Sequence, residues 1–383
     1  MRRLPAMRQL VLVTLLGFAS FCLTLSSLPS YAAANGATDG TAGLVTTVML
    51  VCTVATQMLV PAAVDRFGLG PVLVFGLVAL GPPTLLYLVS PGLGWLLIVS
   101  GVRGFGFAVL TVLGSTITAR IAPPGRMGEA VGIYGLAIAV PNLLAVPGGV
   151  ALQAAGHFAV VAVLAATPVL AVPFVRGLTR GVAVRRTDGE GPSGPARSAV
   201  RAVAAPASLL LVVTLAGGGL VTFLPIAWPG GAVASVALLL FGATGALTRW
   251  AVGVAADQLG VRWLLPLSLV TAVVGLTGLG VSLAAGSGAG SVVGALVSAT
   301  VFGAGYGAVQ NLTLVVALAS TPQDNVASAV WNVGFDSGTA LGAFAVGAVA
   351  ATGLGLPWTF ALSAAPILLA LPLARARAVM RPA

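Results

Sequence analysis

Twelve apolar runs, each about the length needed to cross a bilayer, follow one another along this chain with short polar gaps between them. They cover roughly 9–30, 42–62, 72–90, 94–119, 129–152, 157–175, 207–227, 232–254, 263–285, 291–319, 326–351 and 357–374. Charged residues make up 7% of the chain and hydrophobic ones 58%, whereas a soluble domain carries about 25% charge. A surface this poor in charge must face lipid. The 51 glycines and 24 prolines fit the same reading, because membrane helices tolerate both and small residues let helices approach closely.

The charges that remain are placed asymmetrically. There are 18 basic residues, all Arg, against 8 acids, for a net charge of +10. They form no single patch, so nucleic acid is not the expected partner. With the N-terminus inside, the inner gaps hold Arg2, Arg3 and Arg8, then Arg66, then Arg120 and Arg126. A central group runs from Arg176 to Arg201, Arg249 and Arg262 follow, and Arg375, Arg377 and Arg381 close the chain. Only Arg103 falls deep inside a run, Arg249 lying five residues from the end of the eighth. This bias predicts cytoplasmic termini and a multi-pass protein of the cell (inner) membrane. The first run, preceded by Arg2, Arg3 and Arg8 and followed by Tyr31-Ala32-Ala33-Ala34, has the outline of a signal peptide. Its length from Leu10 to Leu28 suits a retained first helix instead. Residues 176–206, rich in Arg, Gly, Pro and Ser, read as a cytoplasmic linker between an N-terminal six-helix bundle (1–175) and a C-terminal one (207–383). Cys22 and Cys52 lie in apolar runs and His157 is the one histidine, which leaves no disulfide framework or metal site. Without Lys no phosphate-binding G-x-x-x-x-G-K-[ST] loop exists. No cofactor and no enzymatic activity are expected.

The two halves repeat. Asp65-Arg66-Phe67-Gly68 returns as Gly253-Val254-Ala255-Ala256-Asp257-Gln258-Leu259-Gly260-Val261-Arg262, with the aspartates 257 − 65 = 192 residues apart. Leu28-Pro29 returns as Leu224-Pro225, Gly104-Phe105-Gly106-Phe107 as Gly303-Ala304-Gly305-Tyr306, and Pro123 as Pro322. Two parallel six-helix halves are the arrangement of major facilitator transporters, and the chain resembles that family over its whole length. The family's loop motif, G-x-x-x-D-R-x-G-R-R, is matched by Asp65, Arg66 and Gly68, with Pro61 at the leading glycine and Leu69 and Gly70 at the trailing basics. The second half keeps Gly253, Asp257, Gly260 and Arg262. Arg103-Gly104-Phe105-Gly106 resembles the helix 4 motif, and Pro124-Gly125-Arg126-Met127-Gly128-Glu129-Ala130 the entry to helix 5 in the drug/proton antiporter branch. Ala145-Val146-Pro147-Gly148-Gly149 departs from that branch's Gly-Pro and Gly-Gly pairs. The resemblance implies an all-α membrane fold of twelve helices in two pseudo-symmetric bundles. It further implies that Asp65 meets the start of helix 11 and Asp257 the start of helix 5, as inner gates.

Chemistry should lie with polar residues inside the runs. Arg103 sits eight residues past Trp95, about 12 Å below the outer interface, and its repeat position is Phe302. It either binds substrate or controls a proton site, or else bonds backbone carbonyls of broken helices. Asp336 is the one acid well inside a run, with Asn332 a turn before it. Desolvation penalises a charged carboxylate there, so Asp336 is a candidate proton carrier; the alternative is a neutral acid bonded to Asn332. Gln310, Asn311 and Tyr306 in helix 10, Tyr134 and Asn142 in helix 5 and Trp331 in helix 11 complete the candidate substrate-binding or coupling set. For Tyr134 and Trp331 packing between helices is the alternative. In the family helices 1, 4, 7 and 10 line the cavity, which favours Arg103, Tyr306 and Gln310. The expected function is secondary active transport of a small organic molecule by alternating access, as proton-driven efflux by a monomer in the bilayer. A proton-coupled uptake symporter of the same fold is the alternative.

Overall fold

In hydrocarbon every backbone N–H and C=O must be paired within the protein, which leaves helices as the natural spanning element. The computed structural model describes residues 3–37, 39–183, 196–227, 232–350 and 352–374, and among these there is no strand. Eleven helices are long and apolar enough to span. A bent pair, Leu44–Gln57 and Val60–Phe67 meeting at 56°, makes a twelfth when taken as one span. In chain order the spans are α1 (Ala6–Ala34), α2 (the bent pair), α3 (Leu69–Leu88), α4 (Leu93–Ile121), α5 (Met127–Ala154) and α6 (Phe158–Arg180). They continue with α7 (Arg197–Leu224), α8 (Val233–Leu259), α9 (Val261–Ala284), α10 (Ala289–Ala319), α11 (Asp324–Ala350) and α12 (Gly355–Ala374). Large apolar side chains point outward in mid-span, Leu369 being 81% exposed, as lipid contact requires.

Local chemistry explains the breaks. Pro61 opens the second segment of α2, where its missing N–H costs nothing. In α3 the regular helix stops at Leu80, and Pro82–Leu88 continues as a 3₁₀ turn. Pro82 and Pro83 lack the N–H groups a continuing helix would need. Helix extends into both ends of the expected linker, through Ala183 and again from Ala196. Residues 184–195 of that linker, and the C-terminal arginines, lie outside the described residues.

The chain forms two compact units. The first comprises Met1–Pro123 and Ala137–Pro192, hence α1–α4, the later part of α5, and α6. The second comprises Pro124–Leu136 and Ser193–Ala383, hence the start of α5 and α7–α12. Each unit uses the repeated glycine pair in the same way. In the first, a side chain at Gly104 would overlap the Met49 carbonyl of α2, and one at Gly106 would overlap Gly76 and Leu80 of α3. In the second, Gly303 meets Phe241 of α8 and Gly305 meets Ser268 and Ala272 of α9. The partners keep the offset of the repeated turns (241 − 49 = 192, 268 − 76 = 192 and 272 − 80 = 192). The repeat therefore encodes a three-helix seam in which α4 or α10 lies backbone to backbone against two neighbours. The turns share a second requirement: Gly68 and Gly260 take φ of +83° and +74°, a region that penalises any Cβ.

The α8–α10 seam gives a direct test. Gly307 abuts the Gly245 backbone, whereas Gly290 faces open space. Gly307→Val should lower the thermal unfolding midpoint in detergent, in line with the roughly 1–3 kcal/mol cost of overpacking. Gly290→Ala should leave the midpoint unchanged.

Candidate functional site

Two arginines are buried in the spans, and their surroundings differ. Arg103 in α4 is fully buried. Its Nε donates to the Leu80 carbonyl at 3.0 Å, Nη1 to Thr24 Oγ1 at 2.8 Å and Tyr87 Oη at 3.4 Å, and Nη2 to the Ser20 carbonyl and Oγ, both at 3.1 Å. The guanidinium also lies 5.7 Å from the Tyr87 ring centroid. A guanidinium has five N–H donors, so these bonds occupy all of them. Leu80 ends the regular part of α3, and its carbonyl is one that the proline break frees. Arg103 thus joins α1, α3 and α4 at that break.

Arg249 was expected in a cytoplasmic gap, and the structure corrects this. α8 runs on to Leu259, ten residues past Arg249, which places the side chain about 15 Å inside the helix end. It is 6% exposed. Nη1 donates to Gln310 Oε1 of α10 at 2.9 Å, and the guanidinium lies 5.9 Å from the Trp331 ring centroid of α11. Nε and Nη2 are buried with no hydrogen-bond partner among the described residues. The α5 backbone passes so close that a side chain at Gly135 would collide with the Arg249 side chain. An uncompensated Arg at mid-span costs about 2.5–3.5 kcal/mol on insertion scales; the ring contact returns about a quarter of that, of order 0.5–1 kcal/mol.

Around Arg249 the structure gathers five of the expected residues. Tyr134, Gln310 and Trp331 are buried, while Tyr306 and Asp336 are partly exposed. Tyr134 and Tyr306 both lie within electrostatic range of Arg249 and of Asp336. The Trp331 indole N–H donates to Thr313 Oγ1 at 3.1 Å, and its ring stacks near Phe335 at 5.8 Å. Tyr306 hydrogen-bonds the Thr339 side chain and sits among Phe241 and Phe302, with centroids 5.0 and 5.8 Å away. Asn332 is buried, its amide donating to the Ser328 carbonyl at 2.8 Å. Asn142 is exposed and donates to the Ile138 carbonyl of its own helix at 3.0 Å.

The second repeated turn has a defined contact. Asp257 Oδ1 accepts from the Gly128 amide at 2.7 Å and Oδ2 from the Glu129 amide at 2.9 Å. A carboxylate there satisfies free N–H groups at the start of α5 and suits the helix dipole. Asn311 secures the same place, its Nδ2 donating to the Gly128 carbonyl at 3.0 Å, and Gly253 lies against Gly128 with no side chain between them. Arg126 and Glu129 form an ion pair across the first turn. Asp65 and Arg66 are exposed at the end of α2, Arg66 lying 5.3 Å from the Phe67 ring centroid. Arg262 is exposed beside Trp263 at the same distance, 5.3 Å.

Apolar helices long enough to cross a membrane, holding charged and aromatic side chains in their interior, define a multi-pass membrane protein. The Major Facilitator Superfamily model matches residues 10–330, and the chain belongs to that family. Among solved structures, the human organic anion transporter MFSD10 is similar at a TM-score of 0.75 and 17% identity, covering 97% of this chain and 99% of that one. The transporter FucP in the outward conformation gives 0.72 and 12%, covering 98% and 99%. The proton:xylose symporter XylE bound to 6-bromo-6-deoxy-D-glucose gives 0.72 and 13%, covering 96% and 94%. At these identities the likeness is one of fold. No curated protein matches the chain.

Two measurements follow from this geometry. Arg103→Gln leaves the Leu80 carbonyl without its side-chain donor, at about 1–3 kcal/mol, and removes the bonds to Ser20, Thr24 and Tyr87, so the unfolding midpoint should fall sharply. Asp257→Ala removes charge-assisted bonds worth about 1.5–3 kcal/mol, so amide exchange at Gly128 and Glu129 should accelerate about tenfold or more. Unchanged exchange would show that the clasp holds nothing.

Proposed function

We propose that this transporter exports a small organic molecule from the cytoplasm across the inner membrane, driven by protons entering in exchange. The observation that carries the reading is Asp336. It lies twelve residues into α11, about 18 Å along the helix, and shares its electrostatic surroundings with Tyr134 and Tyr306. A carboxyl that can exchange its proton there supplies the coupling ion's site, and Arg249, Gln310, Tyr134, Tyr306 and Trp331 supply the substrate's. Each charge moved through 100 mV is worth about 2.3 kcal/mol, enough to drive accumulation. Arg103, with every donor occupied, acts in this reading as a brace rather than a substrate ligand. The repeated Asp turns serve as inner-face latches, and the protein works as a monomer with cytoplasmic termini. Export is supported by the run from Pro124 to Ala130, which resembles the helix 5 entry of the antiporter branch. The proton symporters of the same fold keep uptake as the second reading.

Reconstituted vesicles test both points. With sugars, amphiphilic drugs and organic acids as a substrate panel, wild type should accumulate a substrate only when a pH gradient is imposed. Asp336→Asn should abolish that accumulation while preserving substrate counterflow. Gradient-driven transport that persists in Asp336→Asn would sink the coupling role. Accumulation by inverted rather than right-side-out vesicles would establish export, and the opposite would establish uptake.

A further inference from the structure

We propose that Arg249 recognises a carboxylate on the transported molecule, so that the substrate is an amphipathic organic acid. This deepens the transport reading above and rests on it.

The two nitrogens of Arg249 without partners are Nε and Nη2. They form one edge of the guanidinium, the edge that engages a carboxylate through two parallel N–H···O bonds. The third nitrogen is turned away and held by Gln310 at 2.9 Å. The fork is therefore fixed from behind, and in front it is buried against the α5 backbone at Gly135 with no hydrogen-bond acceptor among the described residues. Arg103 shows that this chain can saturate a buried guanidinium when the role is structural.

The internal repeat sharpens the contrast. The offset between α2 and α8 puts Gln57 at the position of Arg249 (249 − 57 = 192), and the offset between α4 and α10 puts Thr111 at the position of Gln310 (310 − 111 = 199). Gln57 Nε2 donates to Thr111 Oγ1 at 3.3 Å. Both units thus bridge the same two helices with a side-chain hydrogen bond at the same place. The first unit does so with a neutral amide. The bridge needs no charge, so the charge of Arg249 is surplus to it, and so is the free edge. The surrounding rings of Trp331 and Tyr306 and the Tyr134 side chain suit an apolar or aromatic body behind the acid group. On the α5 side only the Gly135 backbone covers the guanidinium, so a carboxylate reaches the edge when that stretch of α5 draws back.

The test is thermal unfolding of the purified full chain in neutral detergent, with no gradient, using three probes of one shape: 4-phenylbutyrate, 4-phenylbutanamide and 4-phenylbutylamine. The acid should raise the midpoint in a concentration-dependent way by a few degrees, and the amide and amine should not. Arg249→Gln should remove the response, and Arg249→Lys, a point charge without the fork, should keep only part of it. An acid response no larger than the amide's, or one that survives in Arg249→Gln, overturns the proposal. A second readout needs no ligand. Since glutamine makes the bridge at position 57, ligand-free Arg249→Gln should unfold at or above the wild-type midpoint. A fall as large as that of Arg103→Gln would make Arg249 a brace and overturn the proposal. Failure of either assay leaves proton coupling by Asp336 untouched, because neither involves proton movement.

Discussion

A guanidinium carries five N–H donors, and inside a bilayer each must find an acceptor within the protein or remain unpaired at a cost. The first unit is arranged around one answer to that demand. The proline break in α3 frees the Leu80 carbonyl, α1 offers Ser20 and Thr24, and Arg103 of α4 ties them together. Removing the charge would leave the Leu80 carbonyl unpaired as well as discard a cation. The second unit leaves the same demand partly unanswered at Arg249. Two arginines of like burial thus do opposite things, one closing a broken helix and the other presenting an edge.

Symmetry separates scaffold from site. The positions that repeat do mechanical work in both units: Gly104 and Gly303, or Gly106 and Gly305, bring backbones together, and Gly68 and Gly260 permit the turn. The polar bridge between the second and fourth helix of each unit repeats as well. What does not repeat is buried charge. Arg103 corresponds to Phe302, and Arg249 to Gln57. A duplicated fold can vary these positions without disturbing the seams, and that is where selectivity can accumulate.

The spans, their number and the repeat were legible because lipid enforces them: a run of about 20 apolar residues and a polar turn are one-dimensional signals. The landmark glycines were visible as a pattern, though their partners Phe241 and Ala272 required the packing. Arg103 was visible as a charge inside a run, yet only the fate of the Leu80 carbonyl distinguishes a brace from a ligand. Arg249 was misplaced for a physical reason. With α8 ending at about residue 254 its charge falls within five residues of the boundary, whereas the helix continues to Leu259 through a last turn that carries Asp257 and Gln258. The uninterrupted apolar run Ala251–Ala256 beyond it, and the glycines Gly128, Gly132 and Gly135 spaced along one side of α5, were the signals that could have found it. The interrupted α3 was also missed, although Gly81-Pro82-Pro83 stood in plain view.

The start of α5 links the turn to the site. Asp257 holds the Gly128 and Glu129 amides, Asn311 holds the Gly128 carbonyl, and Gly132 lies against the backbone of Arg249 and Trp250. Seven residues beyond Gly128, about 10 Å along the same helix, Gly135 covers the Arg249 side chain and Tyr134 stands beside it. The Asp257 clasp and the Gly135 contact thus lie on one continuous stretch of helix. The repeated acid and the asymmetric arginine therefore act on one helix pair. The carboxylate that anchors the first turn of α5 and the side chain whose N–H edge has no acceptor of its own meet the same helix about 10 Å apart.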